Sequence, residues 1–445
     1  MHMINQIFIA NMCGSDSNKG DLAILENTVY LVKQTYPEIR IILQDVDYSI
    51  RDIATLGLNR WTKELVDEYY GSFFPGIYKN KKSRFRALIS GLANLWSSFR
   101  LLLNAKLVQL TGRNLRWGIS TKKQAVWQQL LQSELVIVKG GSYLYGFYGR
   151  VKDFLFLFRM LLTPWLAVLL GKRVVFLGHS IGPITGRFHR YLVKLVLNQV
   201  EFIGCRERLS LDYIRTELKL SGPRIDLIPD IAFINQYPQD NPKRVNELLS
   251  KEGVHHSAES PVVGLTVRNW DFPTLPNLQS HLKAYQDAIS EIIKFLQQEF
   301  KATILFIPHY IGDIPFAQHI YNQLQDKANV YILRGDYPVA ELRAISHALI
   351  LLIGTRIHSN ILALSVGTPV IPLAYQIHKG YGIMEFAGID QSDIFNIAQI
   401  DINKLKQRVA QLMNPIINAE YRDRIGLRVT AMQQEIIDKV KQYLI

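Results

Sequence analysis

Short apolar runs, each followed by a helical pattern, recur along this chain, and few folds accommodate that alternation. In the first half the runs are Ile7–Asn11, Arg40–Asp45, Leu135–Lys139, Arg173–Gly178, Phe202–Cys205 and Ile225–Ile228. Helical stretches such as Asp21–Thr35 and Arg187–Gln199 separate several of them. This order predicts a parallel sheet with helices on both faces. From Asn235 the pattern stops at "NQYPQDNPKRVNELLSKEGVHHSAESP", a polar stretch that reads as a linker plus one helix. Alternation then resumes at Val262–Val267, Thr303–Ile307, Val330–Leu333, Leu349–Ile353 and Pro369–Leu373. A chain of 445 residues exceeds what one hydrophobic core organises. We therefore expect an α/β protein of two halves with a cleft between them. The first spans residues 1–235 with a helical insertion at about 69–132, the linker 236–260, and the second 261–420. A last helix, 421–445, is expected to cross back over the first half.

The net charge of +13 and a pI near 9.5 favour an acidic partner: nucleic acid, an anionic membrane or a phosphorylated substrate. The basic residues are scattered among apolar ones without a nucleic-acid-binding module, so nucleic acid is not expected. Cys13 and Cys205 are too few for a disulfide framework or a zinc site and read as reduced packing residues. No HExxH, CxxC or DxD-like cluster is found, and no metal is expected. A GxSxG elbow is missing too. The opening "MHMINQIFIANMCG" has no basic segment and too short an apolar run for a signal peptide, which points to the cytoplasm. "FLFLFRMLLTPWLAVLLGK", Phe154–Lys172, approaches spanning length, but Arg159 lies inside it and Pro164 should break it, so it reads as a buried helix. Lys82–Leu107 is basic and amphipathic. It fits either a helical hairpin packed on the first half, the reading preferred here, or a peripheral contact with the inner face of an anionic membrane.

Open parallel sheets bind ligands at the carboxyl ends of their strands, so the residues just after each apolar run matter most. After the first run, Gly14 and Gly20 let the backbone turn, and Asp21 opens a helix whose N-terminus suits an anion or is simply capped by Asp21. In "VKGGSYLYGFYGR", Gly140 and Gly141 allow close approach and the aromatics that follow suit a sugar ring, or equally an inward-packed turn. His179, Ser180, Arg206, Glu207 and Asp230 follow the next runs and form a polar rim. In the second half Arg268, His309, Asp313, Arg356 and His358 sit after strands. Two arginines from different strand ends can fork onto one phosphate. His358, at a helix N-terminus, suits a general acid near neutrality. The bland alternative is that His358 caps the helix and Arg356 pairs with a carboxylate.

Taken in order, "NKGDLAIL", "VKGGSYL", "LGHSIGPI", "CRERLS", "IPDIAF", "LTVR", "GTRIHSNILALSVGTPVI" and "YQIHKGYG" resemble the polysaccharide pyruvyl transferase family over roughly Ile7–Ile389. The resemblance implies two Rossmann-like domains in a GT-B-like arrangement. It implies phosphoenolpyruvate as donor and a nucleotide- or lipid-linked sugar or oligosaccharide as acceptor, joined as a pyruvate ketal on a cell-surface polysaccharide or its precursor. Carried onto this chain, Arg268, Arg356, Ile357 (through its backbone), His358 and Lys379 hold the donor, and His358 is the acid. Asp21, Gly140, Gly141, His179 and Arg206 fall to the acceptor side, with Asp21 and His179 the two candidate bases. Two departures from the family pattern lie on that side: the stretch from about Tyr69 to Gln132, and His179 where glutamine is expected. The rival readings are a GT-B-type nucleotide-sugar glycosyltransferase and a non-catalytic glycan-binding relative. Against the first, the helix leading into "SVGTPV" carries no acid.

Overall fold

A computed structural model describes residues 4–12, 18–46, 60–74, 84–115, 119–236, 242–255, 260–270, 272, 275–375 and 377–445. Cys13 and Gly14 lie outside them. The chain divides into two compact units: Met1–Asp16, Ile24–Ile231 and Ile437–Ile445 form the first, and Ser17–Ala23 with Ala232–Ile436 the second.

The first unit is built on β1 (Gln6–Met12), β2 (Arg40–Asp45), β3 (Glu68–Tyr70), β4 (Leu135–Val138), β5 (Gly141–Gly146), β6 (Arg173–Ile184), β7 (Phe202–Cys205) and β8 (Arg224–Leu227). Every pairing is parallel, in the order β3-β2-β1-β4-β6-β7-β8, with β5 also paired to β6. β1, β4 and β7 are buried along their whole length, which is why β4 and β7 read as unbroken apolar runs and β1 as one between Gln6 and Asn11. β3 and β5 escaped the sequence reading because they are short or glycine- and tyrosine-rich.

Two expectations are corrected here. Arg84–Thr111 is one continuous helix, not a hairpin, followed by a second at Thr121–Gln132. Its Leu101, Leu102 and Ala105 pack into the core with Phe73, Phe74 and Trp127, each large apolar side chain contributing about 1.5–3 kcal/mol. Pro164 does not break the helix Val151–Leu169. A proline removes the N–H that would bond the carbonyl four residues earlier; here that carbonyl, Met160 O, accepts instead from Asn11 Nδ2 at 2.7 Å. Arg159 in the same helix reaches the carbonyl of Val46, with Nε at 2.9 Å. Among the described residues no helix is long and apolar enough to cross a membrane.

The second unit holds β9 (Val262–Thr266), β10 (Thr303–Phe306), β11 (Val330–Ile332), β12 (Leu351–Gly354), β13 (Val370–Ala374) and β14 (Phe395–Asn396). They form a parallel sheet in the order β11-β10-β9-β12-β13-β14. Numbered within the unit this is 3-2-1-4-5-6, the doubly wound order of a Rossmann-like domain. The one helix expected within the linker stretch is Pro242–Lys251, and it is grouped with this unit. The final helix runs unbroken from Pro415 to Leu444. Its end, grouped with the first unit, stacks Tyr443 on Phe202 at 3.5 Å and bonds Lys439 Nζ to Leu227 O at 2.7 Å.

Candidate active site

The strand order reverses between β9 and β12, so the crevice at their carboxyl ends is where a doubly wound sheet binds its ligand. Thr266 and Gly354 are direct register partners there. Two residues beyond each comes an arginine, Arg268 on one strand end and Arg356 on the other. Hydroxyls lock this corner. Thr266 Oγ1 bonds Ser359 Oγ at 2.8 Å, Ser359 Oγ donates to Arg356 O at 2.6 Å, and Tyr285 Oη bonds Thr355 Oγ1 at 2.7 Å. Burial pushes the Tyr285 hydroxyl up to about 12, so it stays a protonated spacer.

The two arginines are held differently. Arg356 pairs with Asp313 in a fork, Nε to Oδ2 at 2.8 Å and Nη2 to Oδ1 at 2.6 Å, with its guanidinium 5.3 Å over the ring of Tyr310. Burial raises the Asp313 carboxyl, and the arginine opposes that rise. Arg268 instead lies 4.8 Å over the ring of Trp270 and 4.5 Å over that of Tyr375. Aromatic faces stabilise a cation without neutralising it. Arg268 has no carboxylate partner among the described residues, so its guanidinium is available to an anion.

His358 stands in the first turn of the helix Ile357–Leu364, which Arg356 precedes as its N-cap residue. The segment Asn18–Asp21 comes up against it. Gly20 packs so close to the imidazole that an added Cβ would stand 2.6 Å from His358 Cβ and nearer still to Cγ and Nδ1. The glycine is needed for space, not for a turn. Lys19 N donates to His309 O at 3.0 Å, Asn18 and Tyr310 form a bridge, and Lys19 Nζ pairs with Asp336 at 2.5 Å. His309, 2% exposed, is pushed down to about 3 by burial and then by Arg356, His358 and Lys19. Cations therefore gather at one corner of one sheet.

Residues 18–377 match the polysaccharide pyruvyl transferase family. The chain belongs to that family. It is 23% identical over 325 residues to the amylovoran biosynthesis protein AmsJ of Erwinia amylovora, covering 69% of this chain and 74% of that one. Among solved structures it shares the two-domain α/β fold of a glycosyltransferase from Rickettsia africae (TM-score 0.55, 13% identity, 100% and 99% of the two chains). It shares it also with the UDP-GlcNAc 2-epimerase of Neisseria meningitidis bound to UDP-GlcNAc (TM-score 0.57, 8% identity, 99% of each chain).

Of the donor residues implied by the family resemblance, Arg268, Arg356, Ile357 and His358 come together at the β9/β12 corner. Lys379 falls on the helix Ile377–Phe386, its side chain outside the described residues. Asp21, expected on the acceptor half, belongs to the segment grouped with the second unit and accepts from Asn18 Nδ2 at 2.7 Å. In the first unit, Gly140 is tight against the carbonyls of Leu177 and Gly178 on β6. The close approach read from its sequence is strand against strand, and Gly141 opens β5. His179 is fully buried, bonds Tyr143 Oη through Nε2 at 2.7 Å, and is held neutral by burial and by Arg206 and Lys139. Arg206 is committed to a buried network, with Nη1 to Asp230 Oδ2 at 2.5 Å and Nε to Ser180 Oγ at 2.8 Å. Sequence reading missed Trp270, Tyr285, Tyr310 and Lys19 as site residues. Trp270 and Tyr310 each lie beside a residue already singled out, Arg268 and His309; Tyr285 comes from a distant helix and left no local signal.

Proposed function

We propose that this chain transfers pyruvate from phosphoenolpyruvate to two hydroxyls of one sugar, closing a ketal on a cell-surface polysaccharide or its precursor and releasing phosphate. Family membership supports a transferase role in polysaccharide biosynthesis. The observation that carries the donor is Arg268, a guanidinium caged by Trp270 and Tyr375 with no carboxylate partner among the described residues, at the strand edge that also presents Arg356 and His358. Such a corner suits a small molecule bearing both carboxylate and phosphate.

In this scheme His358 gives a proton to C3 of the enol, converting methylene to methyl and making C2 electrophilic. A sugar hydroxyl oxygen bonds to C2 and loses its proton to a base. The tetrahedral adduct still carries phosphate. A second hydroxyl oxygen then bonds to C2 as the C2–O bond to phosphate breaks, its proton going to the departing phosphate, while the proton first taken by the base returns to His358 through solvent. Arg268 and Arg356 offset the negative charge of carboxylate and phosphate. Of the two candidate bases we choose Asp21, next to Gly20 and in the unit of His358, over the buried His179. No metal takes part.

We place the acceptor, a nucleotide- or lipid-linked sugar, at the inner face of an anionic membrane. The helix Arg84–Thr111 supports this: Leu92, Trp96, Phe99 and Leu103 recur at helical spacing on its exposed face, beside Arg100 and Lys106. The test is incubation with phosphoenolpyruvate and diphosphate-linked sugars, scoring free phosphate and a ketal methyl signal by NMR. Release of a nucleotide from a nucleotide sugar, with phosphoenolpyruvate untouched, would point to the glycosyltransferase instead.

A further inference from the structure

His309 is a buried polar ring without a hydrogen-bond partner among the described residues. It follows β10, whose neighbour β9 leads to Arg268. Neither Nδ1 nor Nε2 has a hydrogen-bond partner among the described residues, and the residue is 2% exposed. Native proteins pair nearly all buried polar groups, because an unpaired one keeps its desolvation cost with nothing in return. The surroundings of this ring are fixed from both sides. Its backbone carbonyl accepts from Lys19 N at 3.0 Å, and the next residue, Tyr310, is bridged to Asn18 and lies under the guanidinium of Arg356. Four residues on, Asp313 takes two donors of that same guanidinium. The loop 309–313 is therefore wrapped around the arginine that the proposed donor needs.

We propose that His309 is part of the anion site, donating a ring N–H to a phosphate oxygen of the donor that Arg356 binds. This rests on the phosphoenolpyruvate reading above. The ring acts as a neutral donor: burial and the nearby cations push it down to about 3, so it holds one N–H and one acceptor nitrogen at any working pH. A neutral donor adds a directional bond to the phosphate without adding another positive charge to a corner that already holds Arg356 and Lys19.

The experiment is calorimetric titration of the full chain, and of His309→Phe and His309→Asn, with inorganic phosphate, phosphoenolpyruvate and pyruvate, beside thermal melts. A hydrogen bond to a charged group predicts that His309→Phe weakens phosphate and phosphoenolpyruvate by about 10- to 100-fold. Pyruvate, which lacks the phosphate, should bind as before, and His309→Asn, which retains an N–H, should recover part of the loss. The ligand-free melting temperature of His309→Phe should hold or rise, since unpaired polar atoms are removed from the interior. A folded His309→Phe chain with undiminished phosphate affinity overturns the inference. Equal losses for pyruvate and phosphate, in either variant, overturn it too, by showing a structural role; if the phenylalanine variant does not fold, the asparagine variant decides on this criterion. Wild-type protein that binds neither phosphate nor phosphoenolpyruvate removes the donor reading itself, a distinct result.

Discussion

Gly20→Ala tests the site without deleting any functional group. The new Cβ would stand 2.6 Å from His358 Cβ, with Cγ and Nδ1 closer. Carbon atoms settle at about 3.5 Å or more, so the two must separate by at least about 0.9 Å (3.5 less 2.6). Rotating the histidine about χ1 does not help, because its Cβ is itself in the way. The first turn of the helix Ile357–Leu364 and the segment Asn18–Asp21 must move apart. A misplacement of about 1 Å at a reacting group costs on the order of 10²-fold in rate. Turnover of Gly20→Ala should therefore fall about 100-fold. Arg268 rests on its own aromatic cage, so donor affinity should change only several-fold. Ala for Gly in a helix is intrinsically favourable by up to about 1 kcal/mol, which offsets part of the strain and keeps the variant folded. Phosphate release from phosphoenolpyruvate measures the first quantity, calorimetry the second, and circular dichroism checks the fold. A folded Gly20→Ala enzyme turning over within a few-fold of wild type would show that the placement of His358 against Gly20 has no part in catalysis.

Three further outcomes are expected. Arg356→Ala should lower donor affinity about 10- to 100-fold, and it should also destabilise the fold by several kcal/mol, since it strands the buried carboxylate of Asp313; the double variant Arg356→Ala/Asp313→Ala should regain stability in urea melts but not donor binding, and equal stability of single and double variants would contradict the pairing. His179 and His309 are both held below their ordinary pKa, so the unfolded chain takes up a proton on each below about pH 6.5 that the folded chain refuses. Stability should fall with acidification by about 1.4 kcal/mol per pH unit for each, for His309 down to about pH 3, and the slope between pH 6.5 and 5 should lose one histidine's share in His309→Phe. Vesicles of phosphatidylglycerol should bind the protein at low salt and release it at high salt, and Trp96→Ser with Phe99→Ser should weaken that binding more than tenfold; wild-type protein that ignores such vesicles excludes the membrane contact.

How legible the chain was depends on where each signal resides. A strand buried on both faces reads as an apolar run, so β7 could be bounded from the residues alone; β2 was bounded by its apolar Ile41–Leu43 although Arg40, Gln44 and Asp45 flank it, and most other strands came to within a residue or two. β3, with three residues on the sheet edge, and β5, rich in glycine and tyrosine, carry no such signature. The rule that ligands meet parallel sheets at strand ends was enough to single out Arg268, Arg356, His309, Asp313 and His358. Local sequence says which groups follow a strand. It does not say which neighbours they meet.

That second question belongs to tertiary structure. Arg268 and Arg356 look alike in the sequence, yet one is caged by rings and the other is paired with Asp313, because the partners come from other segments of the chain. Pro164 reads as a helix breaker, and only the side chain of Asn11, arriving from β1, supplies the bond the proline withholds. Gly20 reads as a turn residue until His358, far along the chain, is found against it. Periodicity and strand-end chemistry are properties of neighbours in sequence and survive in one dimension. Satisfaction of a carbonyl, neutralisation of a charge and room for a side chain are properties of neighbours in space, and only the folded chain decides them.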